Sequence, residues 1–363
     1  MPNHAKWMKA ALALAKRGLG CVAPNPSVGC LIVKDDILVG RGWTQSGGRP
    51  HAETQALEMA GVAAKSATAY VTLEPCSHTG ETPPCAEALV TAGIERAVVA
   101  VEDPDPRVSG RGLEALQNAG IQTTVGILED EARSLNAGFF LKNTASRPLF
   151  TLKSATSLDG KIATSSGESK WITGQMSRDY GHLVRAQHDA MLVGVNTVIS
   201  DNPSLTCRIE RLETRSPMAV VLDSALRIPL SCELVKCAGK RPLLIVCNET
   251  AVDSVAANKL IDAGVRLVPV PNTRDIKSVG KILAEQGLTR VLVEGGSQVL
   301  ASFVAARQCD RLLTFTAGKI IGADGLTSIG PLALAHLGDA PHLTLESYRK
   351  LGPDLLASYI NAE

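Results

Sequence analysis

Two α/β domains meeting near residue 147 are what the sequence predicts, on three observations. The chain has 363 residues, more than one typical domain needs. Its apolar mass is aliphatic, with 45% hydrophobic but only 3% aromatic residues, the supply from which layered sheets and helices are built. Apolar runs with strand character alternate with helical periodicities in both halves, and Arg147-Pro148 interrupts them, because a residue before proline avoids the α region. The boundary is therefore set between residues 1–147 and 148–363.

Within the first half, Met8, Leu12, Ala15 and Leu19 recur at spacings that mark an amphipathic helix. SVGCLIVKDD and ILVGRGW are two apolar runs parted by Asp35-Asp36, which reads as a hairpin. A helix is expected from about Ala52 with Ala56, Met59, Ala60 and Ala63 on its inner face. There follow strand Ala69–Leu73, helix Cys85–Ala92, strand Ala97–Val101, helix Leu113–Asn118 and strand Gln122–Val125. The stretch from Asp130 to Asn143 is expected to be one connecting helix.

The second half repeats the alternation. Strands are expected at Leu149–Ser154, Ala190–Val195, Met218–Leu222, Leu243–Cys247, Val265–Val270, Val291–Glu294 and Arg311–Ala317. Helical segments near 177–188, 251–263, 275–286 and 297–307 separate most of them. In the tail, Gly352-Pro353-Asp354 stands between two alternating runs and predicts a closing hairpin.

Bulk charge narrows the function. With 37 basic against 36 acidic residues the net charge is +1, and no basic stripe is present to track a nucleic-acid backbone. A small-molecule partner is expected, and neither nucleic acid nor membrane. The apolar run Ala10–Ala15 is closed by Lys16 and Arg17, too short for a signal peptide, and no stretch approaches the roughly 20 apolar residues of a membrane span. Nine cysteines at irregular spacing do not form a disulfide framework. A cytoplasmic protein is the expectation.

HAETQALEMA begins at His51, and LEPCSHTGETPPC begins at Leu73. His51-Ala52-Glu53, then Pro75-Cys76 and Pro84-Cys85, supply one imidazole, one carboxylate and two thiols. Two thiolates and a neutral imidazole leave zinc an open fourth position for water, whose pKa the metal draws toward roughly 7. Glu53, two residues from His51 at a helix start, is placed to carry protons rather than to ligate, and Cys85 opens a helix whose dipole favours a thiolate. The plain alternative makes Cys76 and Cys85 buried thiols, as Cys21, Cys30, Cys207, Cys232, Cys237, Cys247 and Cys309 are read to be. A closed structural site with His78 as fourth ligand is a further alternative, and it leaves Glu53 idle.

H-x-E followed by P-C and a second cysteine is the signature of the zinc nucleobase deaminases. Those acting on free or RNA-borne bases usually separate the cysteines by two residues, whereas here SHTGETPP, eight residues, intervenes and brings His78 and Thr82 near the metal. With APNPSVG at 23–29 and DPDPRVSGRG at 103–112, the chain resembles the bifunctional pyrimidine deaminase–reductases of riboflavin biosynthesis over nearly its whole length. The resemblance implies a cytidine-deaminase-like α/β/α domain followed by a dihydrofolate-reductase-like α/β domain. The implied substrate is a diamino-hydroxypyrimidine with a phosphoribosylamino arm. His51, Cys76 and Cys85 would hold zinc, Glu53 would shuttle protons, and Asn25 would face the substrate. Gly110-x-Gly112-x-x-Ala115 lacks the preceding strand a dinucleotide fingerprint needs, so 103–112 reads as a loop at the site mouth or a plain surface loop.

In the second half, VLVEGGSQVLASFV reads strand, glycines, helix, which lets a phosphate approach backbone N–H groups; a tight turn explains it equally. Together with LFTLKSATSLDGKIATSSGESKWIT and NTVISDNPSLTCR it resembles the reductase half of the same family, which implies NADPH. Ala155, Trp171, Thr197, Asp201, Ser224, Gly296, Ser297, Gln298, Val299, Leu300, Ala301 and Ser302 would line that cofactor. Ser169, Arg185, Leu205, Arg208 and Glu294 would hold the substrate. Two arginines suit a phosphate monoester, although each alone also reads as surface charge. Lys153 is a catalytic candidate or the partner of a carboxylate, and Asp159 reads as a turn residue. Asp223 beside Ser224 would repel the extra phosphate of NADPH; Arg227 is the candidate to neutralise it.

The leading reading is thus zinc hydrolytic deamination followed by NADPH reduction of the ribosyl arm to ribityl, in a homo-oligomer. A nucleoside or tRNA deaminase with a C-terminal binding module is the alternative, and a zinc-stabilised scaffold is a third.

Overall fold

In a computed structural model, which describes residues 3–78, 83–105 and 109–361, the chain divides into two units, Met1–Ser146 and Arg147–Glu363. The first contains α1 (His4–Ala15), β1 (Gly29–Lys34), β2 (Ile37–Trp43), α2 (Ala52–Ala60), β3 (Thr68–Val71), α3 (Cys85–Thr91), β4 (Arg96–Val99), α4 (Arg111–Asn118), β5 (Gln122–Val125), α5 (Glu129–Leu135) and α6 (Ala137–Ala145). Its sheet runs β2-β1-β3-β4-β5. Asp35 and Asp36 both take left-handed φ, the geometry that matches a two-residue hairpin to strand twist, and Lys34 pairs with Ile37 across it. β1 lies antiparallel to β3, while β3, β4 and β5 are parallel. The carboxyl ends of β3 and β4 therefore open on one side, toward Cys76 and Asp103.

Helix α2 lies almost backbone-on-backbone against β2. A Cβ at Gly42 would stand 2.2 Å from the Ala52 carbonyl oxygen, and one at Gly40 would stand 2.1 Å from that of Ala56. That approach selects a stripe of small residues four apart, Ala52, Ala56 and Ala60, all buried. The expected face through Met59 and Ala63 is thereby corrected. Met59 is 57% exposed, and the α-helix ends before Ala63.

The expected single helix over 130–143 is two helices, α5 and α6, broken at Asn136. The buried Asn136 side chain accepts from Ser27 N at 2.9 Å and donates through Nδ2 to Ser27 O at 3.0 Å. The break thus coincides with the pairing of a side-chain amide to the N–H and C=O of a residue 109 positions away.

The second unit contains β6 (Leu149–Thr156), β7 (Lys161–Ala163), α7 (Gln175–Arg185), β8 (Ala190–Gly194), α8 (Val195–Asp201), β9 (Met218–Leu222), α9 (Glu233–Lys236), β10 (Leu243–Asn248), α10 (Val255–Asp262), β11 (Arg266–Val270), α11 (Ile276–Glu285), β12 (Arg290–Val293), α12 (Ser297–Ala305), β13 (Arg311–Thr316), β14 (Leu326–Thr327), β15 (Thr344–Leu351) and β16 (Asp354–Ile360). Its main sheet has the order β11-β10-β9-β8-β12-β6-β13-β16-β15. The strands from β11 to β13 are parallel, and β16 and β15 add the expected hairpin antiparallel at one edge. Strands β8 and β12 are buried along their whole length, which is why they read as unbroken apolar runs. Phe150 and Phe303 meet edge-on at 4.8 Å beneath them. Because β12 inserts between β6 and β8, the strand order reverses there and leaves a crevice at the strands' carboxyl ends.

Helix α8 has no periodic signal in the sequence, since Val195, Thr197, Val198 and Ile199 are β-branched and poor helix formers. Burial of Val195 and Val198 against the β8–β9 core holds it.

Candidate active sites

In the first unit the strand ends bring three ligand atoms together. His51 caps α2, Cys76 follows β3, and Cys85 opens α3. His51 Nδ1 stands 3.3 Å from Cys85 Sγ and 3.7 Å from Cys76 Sγ. All three ligand atoms lie within 4.8 Å of one another, and this group does not include His78. Zinc bonds of about 2.0–2.1 Å to nitrogen and 2.3 Å to sulfur at a tetrahedral angle put N and S on the order of 3.6 Å apart. The donor set fits zinc in type and in spacing.

The electrostatics suit a cation. The first N–H of α3, that of Cys85, points at Cys76 Sγ at 3.4 Å. The two sulfurs divide a proton: hydrogen bonding to Cys85 draws Cys76 down to about 4, and the same bond together with burial raises Cys85. His51 is raised by its bond to Cys76, against its burial. Glu53, 3% exposed on the first turn of α2, is pushed up to about 7 by burial and then by Cys76.

A cavity of about 120 Å³ opens beside these groups. Asn25, Arg49, His51, Glu53, His78 and Asp103 are among its lining residues. Asn25 is steadied by a bond from Nδ2 to Gly48 O at 3.0 Å. Thr82, expected near the metal, lies outside the described residues, as do 106–108 of the 103–112 stretch. The described part of that stretch is gathered by Glu74, whose carboxylate accepts from the backbone N–H groups of Asp103, Gly110, Gly112 and Leu113. This brings Asp103 and Asp105 to the cavity, where burial pushes Asp103 up to about 7 against the N–H of Asp105. Glu74, Asp103 and Asp105 lie inside the LEPC and DPDP stretches, but no individual role was expected of them, nor of Asn136. Acidic residues between prolines beside a Pro-Cys pair were the available signal.

The second unit holds a cavity of about 590 Å³ at the β6–β12–β8 switch. Lys153, Ala155, Ser169, Trp171, Arg185, Thr197, Asp201, Arg208, Glu294, Gly296 and Leu300 line it. An adjoining cavity of about 390 Å³ shares Thr197 and Gly296, and is lined by Ser224, Ser297, Gln298, Val299 and Ser302. Gly295 allows this junction, for a Cβ there would meet Val299 at 2.8 Å. Leu205 and Ala301 are buried and line neither cavity.

Glu294 lines the larger cavity with a side chain 8% exposed. Arg185 donates to it through Nε and Nη2, each at 2.9 Å, and Lys153 Nζ lies 3.5 Å away. Burial alone would raise Glu294, but Lys153 and Arg185 override it and hold the carboxyl at about 2. Arg185 Nη1 donates to Thr206 O as well, so that guanidinium is committed on every side. Arg208 is exposed on the cavity wall. Asp159 accepts from Ser157 Oγ and from the N–H groups of Ile321 and Gly322, and so closes a turn. His182 and Arg178 also line the cavity, and no motif in the sequence marks either.

Comparison with known proteins points the same way for each unit. Residues 1–101 match the cytidine and deoxycytidylate deaminase zinc-binding region, and residues 148–357 match the RibD C-terminal domain. The chain is 44% identical over 350 residues to riboflavin biosynthesis protein RibD of Aquifex aeolicus, covering 96% of each chain. It is 39% identical to that of Escherichia coli, covering 98% of this chain and 99% of the other. Among solved structures, Acinetobacter baumannii RibD, form 1, superposes with a TM-score of 0.90 at 37% identity over 99% of both chains. A diaminohydroxyphosphoribosylaminopyrimidine deaminase/5-amino-6-(5-phosphoribosylamino)uracil reductase from Thermotoga maritima superposes at 0.86, with 34% identity over 99% of both.

Proposed function

This chain belongs to the RibD family of riboflavin-biosynthesis deaminase–reductases, and we propose which of its residues carry the two reactions. It is a bifunctional enzyme that uses zinc and NADPH. It deaminates 2,5-diamino-6-(phosphoribosylamino)pyrimidinone and then reduces the ribosyl arm to give 5-amino-6-(5-phosphoribitylamino)uracil. That reading, rather than a nucleoside or tRNA deaminase, is the one the family supports. The observation that carries the site assignment is the meeting of His51, Cys76 and Cys85 at one point, with the buried Glu53 beside it.

His51, Cys76 and Cys85 would hold zinc, which would supply the Lewis acidity that activates water. Glu53 accepts the proton that water loses as its oxygen bonds to the amine-bearing carbon. The same carboxyl returns that proton to the departing nitrogen, so that ammonia leaves. Asn25 and Asp103 line the same cavity and would meet the ring there.

In the second unit the bound NADPH would supply a hydride. The neighbouring side chains prepare the acceptor. Lys153, held beside Glu294, gives a proton to the ribose ring oxygen as the bond from that oxygen to the anomeric carbon breaks. The amine nitrogen's lone pair closes a carbon–nitrogen double bond at that carbon, which then accepts the hydride. Ser169 and Arg208 bind the phosphosugar. Arg185 orients Glu294, while Leu205 packs in the core and lines neither cavity. Ala155, Trp171, Thr197 and Asp201 in the larger cavity, and Gly296, Ser297, Gln298, Val299, Ser302 and Ser224 along the smaller one, would hold the cofactor.

Residues 1–147 carry the deaminase and 148–363 the reductase. Arg147 pairs bidentately with Asp310 inside the second unit, so a cut after Ser146 spares that bond. Homo-oligomerisation has support in β15, an edge strand exposed from Thr344 to Lys350. Among the described residues no helix is long and apolar enough to cross a membrane; a cytoplasmic location is our expectation. The test is to give the purified protein the diaminopyrimidine ribotide with and without NADPH. Ammonia release alone without NADPH, and NADPH oxidation only once the deaminated product is present, are expected. NADPH oxidation by the undeaminated ribotide would overturn this order.

A further inference from the structure

The smaller cavity of the second unit has a charge pattern that the two reactions leave unexplained. Arg227 and Arg274 line it, both exposed, and no carboxylate is among its described lining residues. They sit after β9 and β11, two strands that flank β10 and end on the same side. Neither arginine lines the larger cavity.

Each arginine is presented by a pinned turn. Asp223 turns away from the cavity: its side chain is fully buried, accepts from Ile228 N at 2.8 Å and is not among the lining residues. Its inward bond ties down the turn that carries Arg227 on the outside. Arg227 Nη2 donates to Asn196 Oδ1 at 2.9 Å, which fixes the guanidinium and leaves further donors for a ligand. On the other turn, Asn248 Oδ1 accepts from Thr273 N and Asn272 Oδ1 accepts from Arg274 N, each at 3.0 Å. Asp275, next in the chain, commits its carboxylate to Lys277 N and Ser278 Oγ at the start of α11.

We infer that Arg227 and Arg274 clamp the 2′-phosphate of NADPH and so set its selection over NADH. The inference rests on reading the second unit as the NADPH reductase. A dinucleotide with its nicotinamide in the larger cavity must pass Thr197 and Gly296, the shared wall, to place its adenosine half in the smaller one. The bridging diphosphate then lies at the first N–H groups of α12. The arginines stand beyond that point, on the wall that meets the adenosine. A phosphate monoester there carries nearly two negative charges and matches two guanidiniums, whereas the hydroxyl of NADH matches neither.

Calorimetric titration of the full-length protein with NADP+ and with NAD+ tests this without turnover, since the two ligands differ only by that phosphate. Arg227→Gln and Arg274→Gln should each weaken NADP+ about ten- to a hundredfold and leave NAD+ unchanged. Arg274→Lys should recover part of the loss. Equal losses for both ligands would assign the arginines to the diphosphate or adenine and overturn the inference, as would NADP+ affinity unchanged in both variants. A wild-type chain that binds neither dinucleotide would overturn the cofactor reading of the second unit itself.

Discussion

Arg185 and Glu294 form a two-bond ion pair, 2.9 Å on each arm, across 109 residues of sequence and at the floor of the larger cavity. The pair joins α7 to the end of β12, and so couples the shape of the site to the stability of its unit. Glu294 titrates at about 2 in the fold against an ordinary 4.5. A depressed carboxylate stabilises above its unfolded pKa, and that contribution fades as pH falls from about 4.5 toward 2. At about 1.4 kcal/mol per unit it is on the order of 3 kcal/mol. Unfolding free energy of the second unit, followed from neutral pH down to this window, should lose that slope in Glu294→Gln. An unchanged slope would place the acid sensitivity elsewhere.

Glu53→Gln is expected to abolish deamination while about one zinc per chain remains. The amide keeps the shape but cannot carry the proton, and the ligand set His51, Cys76 and Cys85 is untouched. Metal analysis beside an ammonia assay checks it. Zinc lost along with activity would move Glu53 into the coordination sphere.

Asn136→Ala should loosen the segment that carries Asn25. Both bonds to Ser27 disappear, and leaving a buried peptide unit unsatisfied costs roughly 1–3 kcal/mol. The expected result is a lower unfolding midpoint of the first unit and a raised deaminase KM, with zinc content and NADPH oxidation preserved. A change in stability with deaminase KM intact would confine Asn136 to the fold.

Arg208→Ala should raise the KM of the phosphosugar far more than that of NADPH. Of the cavity's arginines, Arg185 is committed to Glu294 and Thr206 and Arg178 donates to Thr173 O and Gln175 Oε1, so the exposed Arg208 is the one best placed to meet a phosphate. A charged hydrogen bond of roughly 1.5–3 kcal/mol corresponds to about ten- to a hundredfold in binding. Steady-state kinetics varying each substrate in turn decides it, and a weakened NADPH with unchanged phosphosugar KM would reverse the assignment.

Separation of the activities is expected on cutting after Ser146. The N-terminal fragment should bind zinc and deaminate. A soluble, zinc-loaded fragment without deaminase activity would show that the second unit contributes to the first site.

Sequence by itself determined the alternation of strands and helices, the division near Arg147, and the residue types of the zinc group, because each of these is written in local spacing. His51, Glu53, Cys76 and Cys85 could be picked out since a metal demands rare residue types in a short stretch, three of them at helix starts and Cys76 in the loop after β3. What tertiary structure alone decided is which distant groups meet. Nothing near Asn136 announces Ser27, nothing near Glu74 announces the N–H groups of Gly110 and Gly112, and Arg274 stands in a turn without any motif. The face of α2 likewise depended on Gly40 and Gly42 of a neighbouring strand. Periodicity records which side of an element is apolar. Side-chain and backbone partners separated by tens of residues are set by strand order and close packing, and these arise only when the whole sheet has formed.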